Sequence, residues 1–234
     1  MNRKQTVCRV LLLLVLCVCV AMPEALAQKK KDFANLARFA KENAELPAPA
    51  KGEKRVVFLG NSITECWPLR HPSFFEENPN YICRGISGQT SEQLLLRFRS
   101  DVINLQPKIL VLNVGTNDIA ENSCPYNEDY TFGNIVSMVQ LARANKIKVV
   151  LASVLPAVGF SWRKDLLDAP DKIVALNARI KAYAKAEKIP YVDYYTPMVY
   201  GEKRQLNPEY TYDGVHPTAA GYEVMEALIQ KVLK

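Results

Sequence analysis

The sequence predicts an α/β fold of three layers, in which a parallel sheet of five strands has helices on both faces. Short apolar runs of strand length alternate along the chain with longer segments whose apolar residues recur at helical spacing. This alternation is typical of a parallel sheet that is covered on both sides. The length of 234 residues suits one domain with a short extension.

The five strands are predicted from runs rich in valine, isoleucine and leucine, as expected for strands that are buried on both faces. Pro107 and Pro190 introduce the third and the fifth run. For a sheet of five strands we expect the flavodoxin-like order 2-1-3-4-5. The predicted strands cover residues 55–60, 81–85, 109–114, 148–154 and 191–194.

Four helices are predicted from segments in which apolar residues fall on one helical face. In the first of them, Leu94, Leu95, Phe98 and Val102 recur near helical spacing. Thr218 stands where it would cap the last one. The predicted helices cover residues 91–105, 132–145, 171–187 and 218–233.

Residues 1–27 have the layout of a secretory signal peptide. Basic residues precede an apolar run over residues 10–22, and Ala25-Leu26-Ala27 is a small-x-small pattern before a cleavage point after Ala27. The run is shorter than the ~20 residues that span a bilayer, which argues against an uncleaved anchor. A lipoprotein signal at Cys17 or Cys19 is the other alternative. Cleavage predicts a secreted or periplasmic protein with no stable membrane insertion.

Residues 28–50 are predicted to form an N-terminal helical extension and linker, ahead of a domain over residues 51–234. Asp32 would cap a short helix that carries Phe33, Leu36, Ala37 and Ala40, and the proline-containing stretch 47–50 would end it.

Composition excludes several classes of partner. Cleavage after Ala27 lowers the net charge from +6 to +4, and three of the remaining lysines are Lys29, Lys30 and Lys31 at the new N-terminus. The rest of the chain is near neutral, so there is no electrostatic case for nucleic acid. Two histidines and no Cys-x-x-Cys motif argue against a metal site. Three cysteines remain after cleavage, Cys66, Cys83 and Cys124, and an odd number cannot form a disulfide framework. Cys66 and Cys83 are either a single bridge or, as we favour, small buried thiols.

Polar residues follow each predicted strand, and the carboxyl ends of parallel strands are where ligands bind in such sheets. Ser62 follows the first strand directly and opens a helix, whose N-terminus offers N–H groups and positive potential. On its own, Ser62 would more simply be part of a helix cap.

Asp213 and His216 make the catalytic interpretation of Ser62 the better one. In a turn, a spacing of three lets the carboxylate reach imidazole Nδ1 and leaves Nε2 free to take a proton from a hydroxyl. The simpler alternative is a capping aspartate and a surface histidine. His71 has no comparable carboxylate nearby in sequence and is interpreted as a surface residue.

Gly88 and Asn117 follow the second and the third strand. An acyl-transfer site needs donors aimed at the developing oxyanion. The backbone N–H groups of Ser62 and Gly88 and the side-chain amide of Asn117 could supply them, although a turn glycine and a turn asparagine are ordinary alternatives.

Four segments together resemble the SGNH hydrolases, also called GDSL-like lipases and acylhydrolases, in order over about residues 55–220. They are Phe58-Leu59-Gly60-Asn61-Ser62-Ile63-Thr64, Ile86-Ser87-Gly88-Gln89-Thr90, Gly115-Thr116-Asn117-Asp118 and Asp213-Gly214-Val215-His216-Pro217. The resemblance implies a triad of Ser62, His216 and Asp213 and an oxyanion hole of Ser62, Gly88 and Asn117. Asn61 replaces the aspartate that usually precedes the family's serine, which changes local capping and electrostatics but not the triad's own acid.

The resemblance further implies ester or thioester hydrolysis through an acyl-enzyme, without metal or cofactor. Aromatic residues in the expected pocket loops, among them Trp67, Trp162 and Tyr212, favour a short acyl ester such as an O-acetyl group on a carbohydrate. A lysophospholipase or thioesterase is the second hypothesis. A binding module with a degenerate site is the third.

Overall fold

A five-stranded parallel sheet in the order β2-β1-β3-β4-β5 forms the centre of the molecule, which confirms the predicted order. The structure is a computed structural model, and it describes residues 32–233. The predicted signal peptide therefore lies outside the described residues. The strands are β1 Val56–Gly60, β2 Tyr81–Gly85, β3 Ile109–Asn113, β4 Lys148–Ala152 and β5 Tyr191–Val192.

The register brings the ends of the central strands level with one another. Gly60, the last residue of β1, pairs with Gly85 of β2 on one side and with Asn113 of β3 on the other. Because the strands are parallel, the segments that follow them leave the sheet at one edge. That edge carries Ser62, Gly88 and Asn117.

The strands are buried on both faces, and alternate side chains point into two separate cores. Val57, Leu59 and Leu112 belong to one core. Phe58 and Val111 belong to the other. The continuous apolar runs of the sequence therefore reflect two covered faces rather than one.

Helices cover both faces. The first core receives α5 Ser91–Asp101, α7 Glu128–Ala144 and α8 Ala169–Ala186. The second core receives α10 Ala219–Leu233 together with the short helices α2 Ser62–Glu65, α3 Trp67–Arg70 and α4 Ser73–Glu76. The remaining helical segments are α1 Ala40–Glu45, α6 Thr116–Ile119, α9 Tyr195–Met198 and 3-10 turns at Ile103–Leu105 and Pro208–Tyr210. A small hairpin pairs β6 Val199–Tyr200 with β7 Gln205–Leu206.

Several element boundaries differ from prediction by a few residues, and two of these differences have identifiable reasons. Helix α7 begins four residues early, because the Asn127 side chain accepts the N–H of Tyr130 and so caps the helix, whose first turn is acidic and carries no apolar signal. Strand β5 ends early, because the N–H groups of Tyr194 and Tyr195 both donate to Ser153 Oγ, at 2.9 Å each, instead of to a neighbouring strand.

The predicted N-terminal extension packs closely on the rest of the molecule from Ala34 onward. Residues from Ala34 onward form one compact unit. The short helix begins at Ala40, and Phe39 ahead of it is only 5% exposed, with the guanidinium of Arg84 4.6 Å from its ring centroid. Gln89 Nε2 donates to the Ala34 carbonyl at 2.7 Å. Sequence periodicity did not reveal that a single aromatic residue would dock this segment.

No helix within residues 32–233 is both long enough and apolar enough to cross a membrane.

Candidate active site

Three side chains from distant parts of the chain meet at the carboxyl edge of the sheet. Ser62 Oγ lies 2.8 Å from His216 Nε2. His216 Nδ1 lies 2.6 Å from Asp213 Oδ2. The hydroxyl, the imidazole and the carboxylate therefore form one hydrogen-bonded line. In this arrangement the carboxylate orients the ring, and Nε2 is placed to accept a proton from the hydroxyl.

The turn before helix α10 holds the carboxylate in place. Asp213 Oδ1 accepts the backbone N–H groups of Val215 at 2.9 Å and of His216 at 2.8 Å, which leaves Oδ2 to face Nδ1. Burial alone would raise the pKa of the Asp213 carboxyl, but hydrogen bonds from His216 and Val215 outweigh burial and hold the pKa below its ordinary value. The group is therefore ionised throughout the neutral range.

Ser62 occupies the first turn of the short helix α2. The Asn61 side chain caps that helix by accepting the N–H of Ile63 at 3.0 Å. Asn61 thus does the capping that a carboxylate would do at this position, without its charge. Gly60 allows the tight turn, because a Cβ there would clash with the Thr64 side chain and would lie 2.8 Å from the carbonyl oxygen of Asn113.

Two backbone N–H groups beside the serine carry no hydrogen bond to another group in residues 32–233: those of Ser62 and Gly88. Gly88 sits at the third position of a turn closed by the N–H of Gln89 on the carbonyl of Ile86. Its φ of +78° lies in the left-handed region that a type II turn requires there, which is why glycine suits the position.

Asn117 brings a side-chain amide to the same edge from helix α6. The side chain is buried, and its Nδ2 donates one hydrogen to the carbonyl of Gln89 at 2.9 Å. An amide nitrogen carries two hydrogens, so a second donor remains for a ligand. Together with the two free N–H groups, this donor set can receive a developing negative charge on oxygen.

Asn122 is a residue that sequence reasoning missed. Its Nδ2 lies 3.1 Å from both the Gly88 carbonyl oxygen and Asn117 Oδ1, and its Oδ1 accepts from Trp162 Nε1 at 2.9 Å. No motif marked this asparagine, because its partners are distant in sequence.

Two of the three aromatic residues predicted to contact substrate stand beside the imidazole. Tyr212 stacks on the His216 ring with a centroid distance of 5.9 Å, and Trp162 lies at 6.5 Å. They are 52% and 43% exposed, so both rings can face a ligand.

Trp67 is buried, which corrects the prediction that this residue contacts substrate. Its side chain is 2% exposed and stacks between Phe74 at 4.8 Å and Tyr222 at 5.4 Å. Trp67 is the first residue of helix α3, and its side chain packs into the second core rather than facing the sheet edge that carries Ser62. The indole therefore supports the turn from below.

His71 and Cys83 each make a hydrogen bond within the fold. His71 is not the unpartnered surface residue expected from sequence, because its Nε2 lies 2.6 Å from Glu226 Oε2 across to helix α10. Cys66, Cys83 and Cys124 are free thiols. Cys83 donates to the carbonyl of Thr64, and burial raises its pKa to about 11, which keeps it protonated and inert. Within the described part of the chain, no group of three histidine, cysteine or acidic side chains could hold a metal ion.

The family model and two closely similar solved structures point to one family. The sequence model of the GDSL-like Lipase/Acylhydrolase family matches residues 58–224. Among solved structures, a candidate acylhydrolase from Bacteroides fragilis is 63% identical, with a TM-score of 0.86 over 87% of this chain and 98% of that chain. A GDSL-like lipase from Bacteroides thetaiotaomicron is 65% identical, with a TM-score of 0.85 over 86% and 98%. An acetyl-xylooligosaccharide esterase from Geobacillus shares the fold at 18% identity, with a TM-score of 0.61 over 80% and 95%.

The curated relatives are matched only in part. An uncharacterized lipoprotein of Bacillus subtilis, YqeF, is 33% identical over 84 residues, which is 35% of each chain. The two curated relatives are matched over 35% and 40% of their own lengths. The family model covers most of this chain and spans the segments that carry Ser62, Gly88, Asn117 and His216. The chain therefore belongs to the GDSL-like lipase/acylhydrolase family.

Proposed function

We propose that the protein is a serine ester hydrolase that acts through an acyl-enzyme, with Ser62 as nucleophile, His216 as general base and acid, and Asp213 as the group that orients His216. The observation that carries the proposal is the unbroken line of two short hydrogen bonds, 2.6 Å from Asp213 to His216 and 2.8 Å from His216 to Ser62. The depressed pKa of Asp213 supports the same roles, because an ionised carboxylate stabilises the imidazolium that forms when Ser62 loses its proton.

The reaction proceeds in two halves. His216 Nε2 takes the Ser62 proton as Oγ forms a bond to the acyl carbon, and the charge on the carbonyl oxygen is received by the N–H groups of Ser62 and Gly88 and by the Asn117 amide. The bond to the departing alcohol then breaks, and that alcohol leaves with the proton from Nε2. In the second half, His216 takes a proton from water, hydroxide adds to the acyl carbon, and the carboxylic acid departs as Ser62 regains its proton.

The substrate we propose is a short acyl ester, with an O-acetyl group on a carbohydrate as the preferred case. Trp162 and Tyr212 support this choice, because exposed aromatic rings beside the imidazole suit the face of a sugar. The Geobacillus esterase that shares the fold acts on acetyl-xylooligosaccharides, so the fold is compatible with such a substrate. On the same proposal the protein works in the periplasm or outside the cell, after cleavage of residues 1–27.

The first experiment compares the parent protein with Ser62→Ala and with Ser137→Ala. Ser137 is a matched control, because its hydroxyl is exposed on helix α7 and donates only to the carbonyl of Gly133. With p-nitrophenyl acetate we expect Ser62→Ala to lose at least about 10⁴-fold in kcat and Ser137→Ala to match the parent. Equal activity in Ser62→Ala and the parent would refute the enzyme and favour a binding module, as would a parent that neither hydrolyses an ester nor reacts with a fluorophosphonate at Ser62.

The second experiment selects the substrate class with a series of p-nitrophenyl esters and with acetylated xylooligosaccharides. We expect the highest kcat/KM with acetate and release of free acetate from the acetylated sugar. A higher kcat/KM with octanoate than with acetate would overturn the short-acyl assignment and favour a lysophospholipase or thioesterase.

A further inference from the structure

Asn122 joins the segments that follow three different strands. It lies just beyond helix α6, after β3. Its side chain reaches the Gly88 turn after β2 and the Trp162 loop after β4. Nδ2 has two acceptors and Oδ1 has a donor, so both ends of the amide are bound.

The contacts of Asn122 fall on the oxyanion donors themselves. The N–H of Gly88 is free to act as a donor, and the carbonyl of the same residue accepts from Asn122 at 3.1 Å. Asn117 donates through Nδ2, and Oδ1 of the same amide accepts from Asn122 at 3.1 Å. With Nδ2 on the Gln89 carbonyl and Oδ1 on Asn122, the Asn117 amide is fixed at both ends. A flipped amide would set its oxygen against the Gln89 carbonyl and toward the negative charge it should stabilise.

We infer that Asn122 is a positioning residue for the reaction of the proposed function. It holds the Gly88 turn and the Asn117 amide in the orientation that stabilises the oxyanion, and separately fixes Trp162 as one wall of the substrate site. The inference rests on the proposed function of Ser62. A misplaced donor weakens transition-state stabilisation while leaving ground-state binding nearly intact, so the effect belongs on kcat rather than on KM.

Two variants distinguish the contacts of Asn122 Nδ2 with Gly88 and Asn117 from the contact of Oδ1 with Trp162. Asn122→Asp keeps an oxygen for Trp162 Nε1 but places a second oxygen against the Gly88 carbonyl and Asn117 Oδ1. Trp162→Phe removes only the indole donor and keeps a ring in the wall. We expect Asn122→Asp and Asn122→Ala to lower kcat about 10- to 100-fold with KM changed less than about threefold. We expect Trp162→Phe chiefly to raise KM and to lower kcat less than the Asn122 variants do.

A matched control is Asn145→Ala. Asn145 is also exposed and donates through Nδ2 to a carbonyl, that of Leu141, at the end of helix α7 near the opposite edge of the sheet. We expect its kcat to equal that of the parent. Circular dichroism melting of every variant establishes that the losses are measured on folded protein.

A double-variant experiment tests whether Asn122 acts through Asn117. Asn122→Ala is made in the Asn117→Ala background, where we expect its effect on kcat to shrink at least about threefold, because one of its two targets is gone. Three results would each overturn the inference: a kcat within twofold of the parent for folded Asn122→Asp, an undiminished loss in the Asn117→Ala background, or Trp162→Phe reproducing the full kcat loss.

A second readout keeps this inference distinct from the choice of substrate. The rate at which a fluorophosphonate probe labels Ser62 depends on the same donors but on no natural ester. If the parent hydrolyses none of the esters yet is labelled at Ser62, the proposed substrates fail. The labelling rate of Asn122→Asp then decides the inference, with a loss of about tenfold or more supporting it and an unchanged rate overturning it.

Discussion

Replacing Asn117 with alanine tests the oxyanion donors directly. The side chain is 3% exposed, and one Nδ2 hydrogen is committed to the Gln89 carbonyl, which leaves a single donor for the substrate oxygen. Loss of one such donor lowers kcat by about 10²–10³, or about 2.7–4 kcal/mol of transition-state stabilisation. Because the donor acts on charge that develops during the reaction, we expect KM to change little.

The same substitution also has a stability cost that the structure allows us to estimate. Asn117→Ala leaves the Gln89 carbonyl without its donor and removes the contact with Asn122. An unsatisfied buried group costs about 1–3 kcal/mol, which corresponds to a fall in Tm of about 2–12 °C for a domain of this size. A domain with a typical stability of about 5–15 kcal/mol remains folded at 25 °C, where the assay is run.

Asn177→Ala is the matched control for that cost. Asn177 is a buried asparagine of helix α8 whose amide bonds both the N–H and the carbonyl of Val154, at 2.7 and 2.9 Å. We expect a comparable fall in Tm and a kcat within about threefold of the parent, measured with p-nitrophenyl acetate. The reasoning is refuted if folded Asn117→Ala keeps a kcat within tenfold of the parent, or if Asn177→Ala loses as much activity as Asn117→Ala.

Three further predictions follow from the same contacts. Asp213→Asn should lower kcat about 10⁴-fold in the ester assay, because the amide favours the wrong tautomer of His216, and a loss under tenfold would contradict the assigned role. Trp67→Ala should destabilise the fold by about 3–5 kcal/mol in urea titrations while leaving KM unchanged, and a raised KM in folded protein would restore it as a substrate contact. Burial raises the pKa of Asp118, so the carboxyl binds a proton more readily in the folded protein than in the unfolded chain. The contribution of Asp118 to the free energy of unfolding is therefore full below the ordinary pKa of 3.8 and declines as the pH rises. The free energy of unfolding of the parent minus that of Asp118→Asn should therefore shrink as the pH rises above 3.8, and a difference that grows with pH would show that the sign is wrong.

The sequence by itself determined the fold class and the strand order, because apolar runs report burial and their alternation with amphipathic helices leaves few arrangements of a parallel sheet. It also singled out Ser62, Asp213 and His216, because residues that follow parallel strands must meet at one edge and because Asp213 and His216 lie within one turn. The four motif segments taken together, rather than any one residue alone, identified these positions.

Only the tertiary structure decided contacts between residues that are distant in sequence. Trp67 and Trp162 have the same side chain, but one packs beneath the serine turn and the other stands beside the imidazole. Phe39 docks a segment that the sequence predicted only as a short N-terminal helix followed by a linker. Asn122 bonds two loops and an indole without any local pattern. Whether each of these side chains faces the core, a neighbouring loop or the active site depends on how the surrounding elements pack. Neither periodicity nor spacing in the sequence carries that information.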